Sequence, residues 1–244
     1  MDDPILLSID KQVATLTINR ERRRNSLDHI AMQALQKALL TCADEDVTVM
    51  VIHGAGKASF CAGDDVKAYA ERSRQESTRH HERGLEVFDA IENHPCMVIA
   101  AIEGFCLGGG LELALSCDLR IASESAQFGL PEVRKLHAMP SWGGLTRLPK
   151  VVGVGRAKQM VLLGGRLSAA EAEHQGLIAR VVPDGEAVSE ATALATEYAA
   201  AVPRDVVTFA KRAVDQSFVA GASSTHFMNL LVERSQTFEG DSKP

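Results

Sequence analysis

The chain spells no paired-cysteine or metal-ligand motif. Its five cysteines, Cys42, Cys61, Cys96, Cys106 and Cys117, stand apart, with no CxxC and no His/Cys spacing that fits zinc. Most sit inside apolar runs, the setting of reduced, buried thiols. No basic field exists either. Lys and Arg number 26 against 32 Asp and Glu, a formal net charge of −6, which argues against a nucleic-acid partner. The start, Met1-Asp2-Asp3-Pro4, lacks a signal-type apolar region, and no apolar run approaches the length of a membrane span. The expectation is a cytoplasmic protein with no membrane partner and no metal. Three common signatures are also missing. Gly104 and Gly108 to Gly110 do not spell GxGxxG, no GxxxxGK forms a P-loop, and no GxSxG forms a hydrolase elbow.

What is present suits one large domain, or a core with a small appendage: 244 residues, 45% of them hydrophobic. Residues 5–9 and 13–18 read as two short strands, the second with apolar/polar alternation. A helix starts near Asn25-Ser26-Leu27-Asp28, with Ile30, Ala34, Leu35, Ala38 and Leu39 at helical period. Residues 47–52 and 96–102 are continuous apolar runs, hence buried strands, and 119–122 is a shorter third. Helical runs at 85–93 and 111–117 lie between them. Repeated strand, turn and helix argues for the α/β class with parallel pairing. Residues 70–84 are crowded with charge, so a solvated or mobile excursion is expected there, with His80 and His81 solvated. From about residue 150 the strands are expected to stop. Helical runs at 156–163, 169–176, 187–201 and 206–219 follow, packed on the core because no linker precedes them.

Two glycine-centred turns carry the chemistry. One is Phe60-Cys61-Ala62-Gly63-Asp64-Asp65-Val66, after a strand and before a helix. The other is Gly108-Gly109-Gly110, at the mouth of a helix that bears Glu112. Each could aim a backbone N–H into one crevice, and two amides on one oxygen form an oxyanion hole. Glu132 follows a Gly-Leu-Pro turn. Beside an enolate, one glutamate can hold or deprotonate water while the other protonates the α-carbon or orients the water. Burial and mutual repulsion would raise one pKa, while the helix N-terminus favours the charged form of Glu112. The cluster Arg20, Arg22, Arg23 and Arg24 has two readings, a solvated turn or a site for phosphate groups.

These segments, with Gln127 to Glu132, Pro140 to Leu148 and Ser168 to Ile178, resemble the crotonase, or enoyl-CoA hydratase/isomerase, superfamily over residues 5–215. The resemblance implies an α/β spiral of ββα turns. It implies a core over residues 1–190 and a C-terminal helical trimerisation region over 191–244, apparently shortened. It also implies an acyl-CoA thioester substrate, no separate cofactor, and a homotrimer or dimer of trimers. By that resemblance the N–H groups of Asp64 and Gly109 form the oxyanion hole, and Glu112 and Glu132 are the catalytic pair of a hydro-lyase. Arg24, Ser26, Ala62, Gly63, Asp65, Val66, Gly108 and Trp142 line the substrate. The reaction implied is reversible hydration of a 2-enoyl-CoA, the alternative being an isomerase or specialised dehydratase on a CoA- or carrier-bound acyl group. Three departures stand out: Asp64 replaces a small residue; the 132–140 segment is one residue longer than usual and lacks a glycine, an altered wall at which Trp142 and His137 are expected to shape the acyl site; and the sequence ends at Phe238 to Pro244, where the family usually continues through another helical stretch.

Overall fold

The computed structural model describes residues 3–217. In chain order the elements are β1 (Ile5–Asp10), β2 (Val13–Ile18), α1 (His29–Asp44), β3 (Val49–Gly54), β4 (Ser59–Cys61), α2 (Val66–Glu71), α3 (Arg74–Glu92), β5 (Met97–Ile102) and β6 (Phe105–Leu107). There follow α4 (Gly109–Ser116), β7 (Leu119–Ser123), β8 (Gln127–Gly129), α5 (Gly144–Val152), α6 (Val154–Leu163), β9 (Leu167–Ser168), α7 (Ala169–His174), β10 (Arg180–Val182), α8 (Ala187–Ala201) and α9 (Arg204–Gln216). A six-stranded sheet has the order β1-β2-β3-β5-β7-β10, and a four-stranded sheet the order β4-β6-β8-β9. All neighbours are parallel except β1 with β2 and β8 with β9.

The spiral follows from this order. β3, β5 and β7 each enter the large sheet, and the strand that follows each of them, β4, β6 or β8, enters the small one. After β4 and β6, helices return the chain to the next large-sheet strand, whereas after β8 the chain passes through α5 and α6 to β9, still in the small sheet. The first two turns therefore each end a small-sheet strand at a helix start, which stacks β4–α2 beside β6–α4. The α/β expectation holds.

Alternation along the large-sheet strands divides the core into two. Met50, Ile52, Val98, Ala100 and Ile102 join the main cluster with α1, α3 and α4. Val49, Val51, Met97, Ile99 and Ala101 face the other way, under Ala187, Ala191, Ala195 and Ala199 of α8. An alanine every four residues leaves no bulk on one helix face, so α8 lies close on the sheet. The buried Glu103 carboxylate fixes its start, accepting from the N–H groups of Gly185 and Ala187, each at 3.1 Å. The expected division at residue 190 falls inside α8, and 218–244 lies outside the described residues.

Three sequence expectations need correction. Residues 70–84 belong to α2 and α3, and α3 buries His80, Gly84, Val87, Phe88 and Ile91. A capping box of Ser73 and Glu76 starts α3, satisfying donors that a helix end otherwise exposes. Its apolar stripe was hidden because a histidine and a glycine occupy the first two inward positions. His80 is therefore not solvated: it is 3% exposed. Strands also continue past residue 150, as β9 and β10. Both are three residues or fewer, too short to show a period of two.

Candidate active site

The two glycine turns touch. A Cβ built on Gly63 would lie 2.8 Å from the Gly109 nitrogen, and one on Gly110 2.0 Å from the Cys61 carbonyl oxygen. Gly63 adopts φ +89° and Gly108 φ +57°, a region that side chains disfavour. Glycine is required here both for conformation and for contact. Among the described residues, the N–H groups of Asp64 and Gly109 donate to no acceptor. Gly109 is the first residue of α4, so its free N–H is one of the orphan donors of a helix start. Leu27 donates to the Gly63 carbonyl and accepts from the Asp65 N–H, which leaves the intervening Asp64 N–H facing away from that pairing.

Glu112 lies in the first turn of α4 and is 2% exposed. Its Oε1 accepts from the N–H groups of Trp142 and Gly144, both at 2.8 Å. Burial pushes its pKa up, while those amides and the nearby Arg147 guanidinium oppose the shift. Gly144 is tight against this carboxylate, since a Cβ there would sit 2.9 Å from both Cγ and Oε1.

Glu132 has a different setting. It opens a π-helical turn, Glu132–Leu136, that ends at a left-handed His137. A π turn takes up one extra residue, which fits the longer 132–140 segment. Its Oε1 comes within 2.8 Å of where a Gly108 Cβ would be, so the carboxyl hangs over the second glycine turn. Its Oε2 is buried and has no hydrogen-bond partner among the described residues. Burial, aided by the charge of Glu112, raises its pKa to about 7.

The other expected residues fall into three groups. Arg24, Ser26 and the 62–66 turn come together: Ala62 N–H donates to the Arg24 carbonyl at 3.1 Å. Arg24 is exposed, with its guanidinium 5.9 Å from the centre of the Phe105 ring. Arg20 is committed elsewhere, bonding the Ser26 carbonyl, Asp28 and Asp65. Asp65 caps α2 through the N–H groups of Lys67 and Ala68, so its side chain is structural in this state. Val66 is the first residue of α2. Trp142 is 2% exposed, wedged between two glycines: a Cβ on Gly84 or on Gly109 would lie 2.2 Å from its ring. His137 is exposed.

Four supporting residues escaped the sequence reading. Arg147, 3% exposed, donates to the Trp142 carbonyl at 2.9 Å and pairs with Asp89 and Glu92 of α3, so it fixes the loop that holds Glu112. Gly84 gives Trp142 its seat. Arg72 donates to both Asp64 carboxylate oxygens, at 2.7 and 2.9 Å, and His80 Nε2 lies 3.0 Å from Oδ1. The only available signal was the glycine pair at 143–144 with Arg147 just after it. Among the described residues no group of three or more His, Cys, Asp and Glu could hold a metal ion. No helix among them is long and apolar enough to cross a membrane.

The model of the enoyl-CoA hydratase/isomerase family matches residues 8–236. A short-chain-enoyl-CoA hydratase of Clostridium acetobutylicum is 36% identical over 213 residues, 87% of this chain and 81% of that one. Among solved structures, an enoyl-CoA hydratase from Bacillus anthracis superposes with a TM-score of 0.88 at 36% identity, over 98% of this chain and 90% of that one. Pseudomonas aeruginosa DspI gives a TM-score of 0.91 at 31% identity, over 99% and 98%.

Proposed function

The chain belongs to the enoyl-CoA hydratase/isomerase family, with the crotonase fold, and from that premise we propose that it is a hydro-lyase adding water across the double bond of a 2-enoyl-CoA. The observation that carries the reading is the unequal glutamate pair beside two free amides. The thioester oxygen accepts from the Asp64 and Gly109 N–H groups, which draws electron density from the β-carbon. Glu112, fixed through Oε1 and made more basic by burial, orients water and takes its proton as the oxygen bonds the β-carbon. Negative charge passes to the thioester oxygen as an enolate. Glu132, whose pKa of about 7 leaves it substantially protonated near neutrality, gives its proton to the α-carbon. The proton gained by Glu112 then returns to Glu132, directly or through solvent, and the cycle closes. The reverse sequence dehydrates a 3-hydroxyacyl-CoA.

The CoA moiety is assigned to the edge where Arg24, Ser26 and the turn from Ala62 to Val66 adjoin, with the exposed Arg24 guanidinium to meet phosphate. Trp142 acts from behind, as the wall under Gly109 and the amide on Glu112. The C-terminal region from 191 is assigned to self-association as a trimer or pair of trimers. Crotonyl-CoA, followed by loss of its conjugated ultraviolet absorbance, tests the reaction. Hydration to 3-hydroxybutyryl-CoA is expected. Double-bond migration or dehydration of another thioester with crotonyl-CoA untouched would replace this reading with the isomerase or dehydratase one.

A further inference from the structure

Asp64 poses an electrostatic problem. Under the function proposed above, its N–H stabilises a developing enolate, yet the same residue carries a carboxylate. A bare negative charge beside that oxygen opposes the chemistry that the amide promotes. The structure answers it with partners brought in from two helices. Arg72, the C-cap just after α2, grips both oxygens in a two-pronged pair, at 2.7 and 2.9 Å. His80, on the second turn of α3, approaches Oδ1 at 3.0 Å. An ionised carboxylate only accepts, so the ring donates through Nε2. Side chains of Arg72 and His80 are 10% and 2% exposed, so the cluster is shielded from solvent screening.

The cluster also reaches the other half of the site. The His80 ring packs edge-on against Trp142, with centroids 5.4 Å apart, and Phe88 does the same on α3. Trp142 rests on Gly84 and supplies one of the amides on Glu112. Helix α3 thus touches the oxyanion turn through His80 and the Glu112 support through Gly84 and Trp142.

We propose that Arg72 and His80 are positioning residues that neutralise the Asp64 carboxylate, so that the Asp64 peptide serves as an oxyanion donor without an opposing charge. This rests on the oxyanion reading of Asp64 and not on which acyl group is processed.

The test reads enolate stabilisation and turnover separately. Acetoacetyl-CoA, whose enolate absorbs in the near ultraviolet, is titrated with pH while bound to wild type, Arg72→Met and the double variant Asp64→Ala/Arg72→Met. Arg72→Met is expected to raise the bound ligand's midpoint by at least about one unit, a tenfold loss of enolate preference, with ligand affinity for the neutral form within about threefold. Removing the carboxylate in the double variant is expected to bring the midpoint back. Hydration should follow: kcat falls about tenfold or more in Arg72→Met with KM little changed, and recovers in the double variant. Arg72→Gln, which keeps a donor without charge, should behave as Arg72→Met and replaces it should that variant fail to fold. An unmoved midpoint, or one that stays raised in the double variant, overturns the inference. So does wild type that binds no acetoacetyl-CoA, which also removes the oxyanion reading. If wild type shifts the ligand as expected but hydrates nothing, the inference stands and the hydratase reading falls.

Discussion

Glu112 and Glu132 share a crevice and a chemical type, but their surroundings divide the work. The Glu112 region is a frame: two amides on one oxygen, Arg147 behind them, and Trp142 locked between Gly84 and Gly109. The Glu132 region is a short π-helical turn whose carboxyl has a buried oxygen with no hydrogen-bond partner among the described residues. Donors stabilise a carboxylate and burial without donors destabilises it. The first glutamate is held in place with support for its charge, and the second is left free to keep a proton. In the proposed mechanism identical side chains serve as base and acid because two loop amides hold the Glu112 carboxylate, whereas Glu132 has only its own backbone N–H to set against burial.

Breaking either side should have its largest effect on rate. Glu112→Gln and Glu132→Gln should each lower kcat for crotonyl-CoA by about 10²–10⁴-fold, the range of a lost acid or base, measured under saturating substrate. Only one of them losing activity would mean that the pair does not work as two groups. The stability contrast comes next. Because the Glu132 pKa is raised from 4.5 to about 7 on folding, the folded chain prefers the neutral carboxyl. Its contribution is complete below pH 4.5 and is lost as pH rises through about 7. Glu132→Gln keeps a neutral group at every pH. It should be more stable than wild type at pH 8 by up to about 3 kcal/mol in urea unfolding, with no gain at pH 4. A variant less stable than wild type at pH 8 would deny that Glu132 is held in an unfavourable place. The smallest effect concerns the frame. Gly84→Ala gains about 1 kcal/mol of helix propensity but drives a methyl into the Trp142 ring, for a net loss of about 1–2 kcal/mol. It should also lower kcat through Trp142, whereas an equally destabilised variant on the far face of α8 should leave kcat in place.

Much of this arrangement was readable in the residues. The long strands announced themselves because both faces are buried, so β3 and β5 read as unbroken apolar runs. The glycine turns and both glutamates were legible because close backbone approach and positive φ leave a composition mark. The small sheet was not, since β4, β6 and β8 have three residues each and pair only across the spiral. Helix α3 misled for a physical reason: its first inward positions hold a histidine within hydrogen-bond distance of the Asp64 carboxylate and a glycine that fits an indole, not a row of leucines. The support of Glu112 was hidden too, because it comes from main-chain N–H groups about thirty residues away, which no side-chain pattern records.

The most direct measurement is the titration of the Glu132 side-chain carboxyl by carbon-13 NMR, with Glu132→Gln used to assign its signal. A midpoint near 7 is expected, as burial and the neighbouring Glu112 require. A midpoint at the ordinary glutamate value, about 4.3, would mean that Glu132 is ionised throughout the neutral range and would contradict its role as the acid.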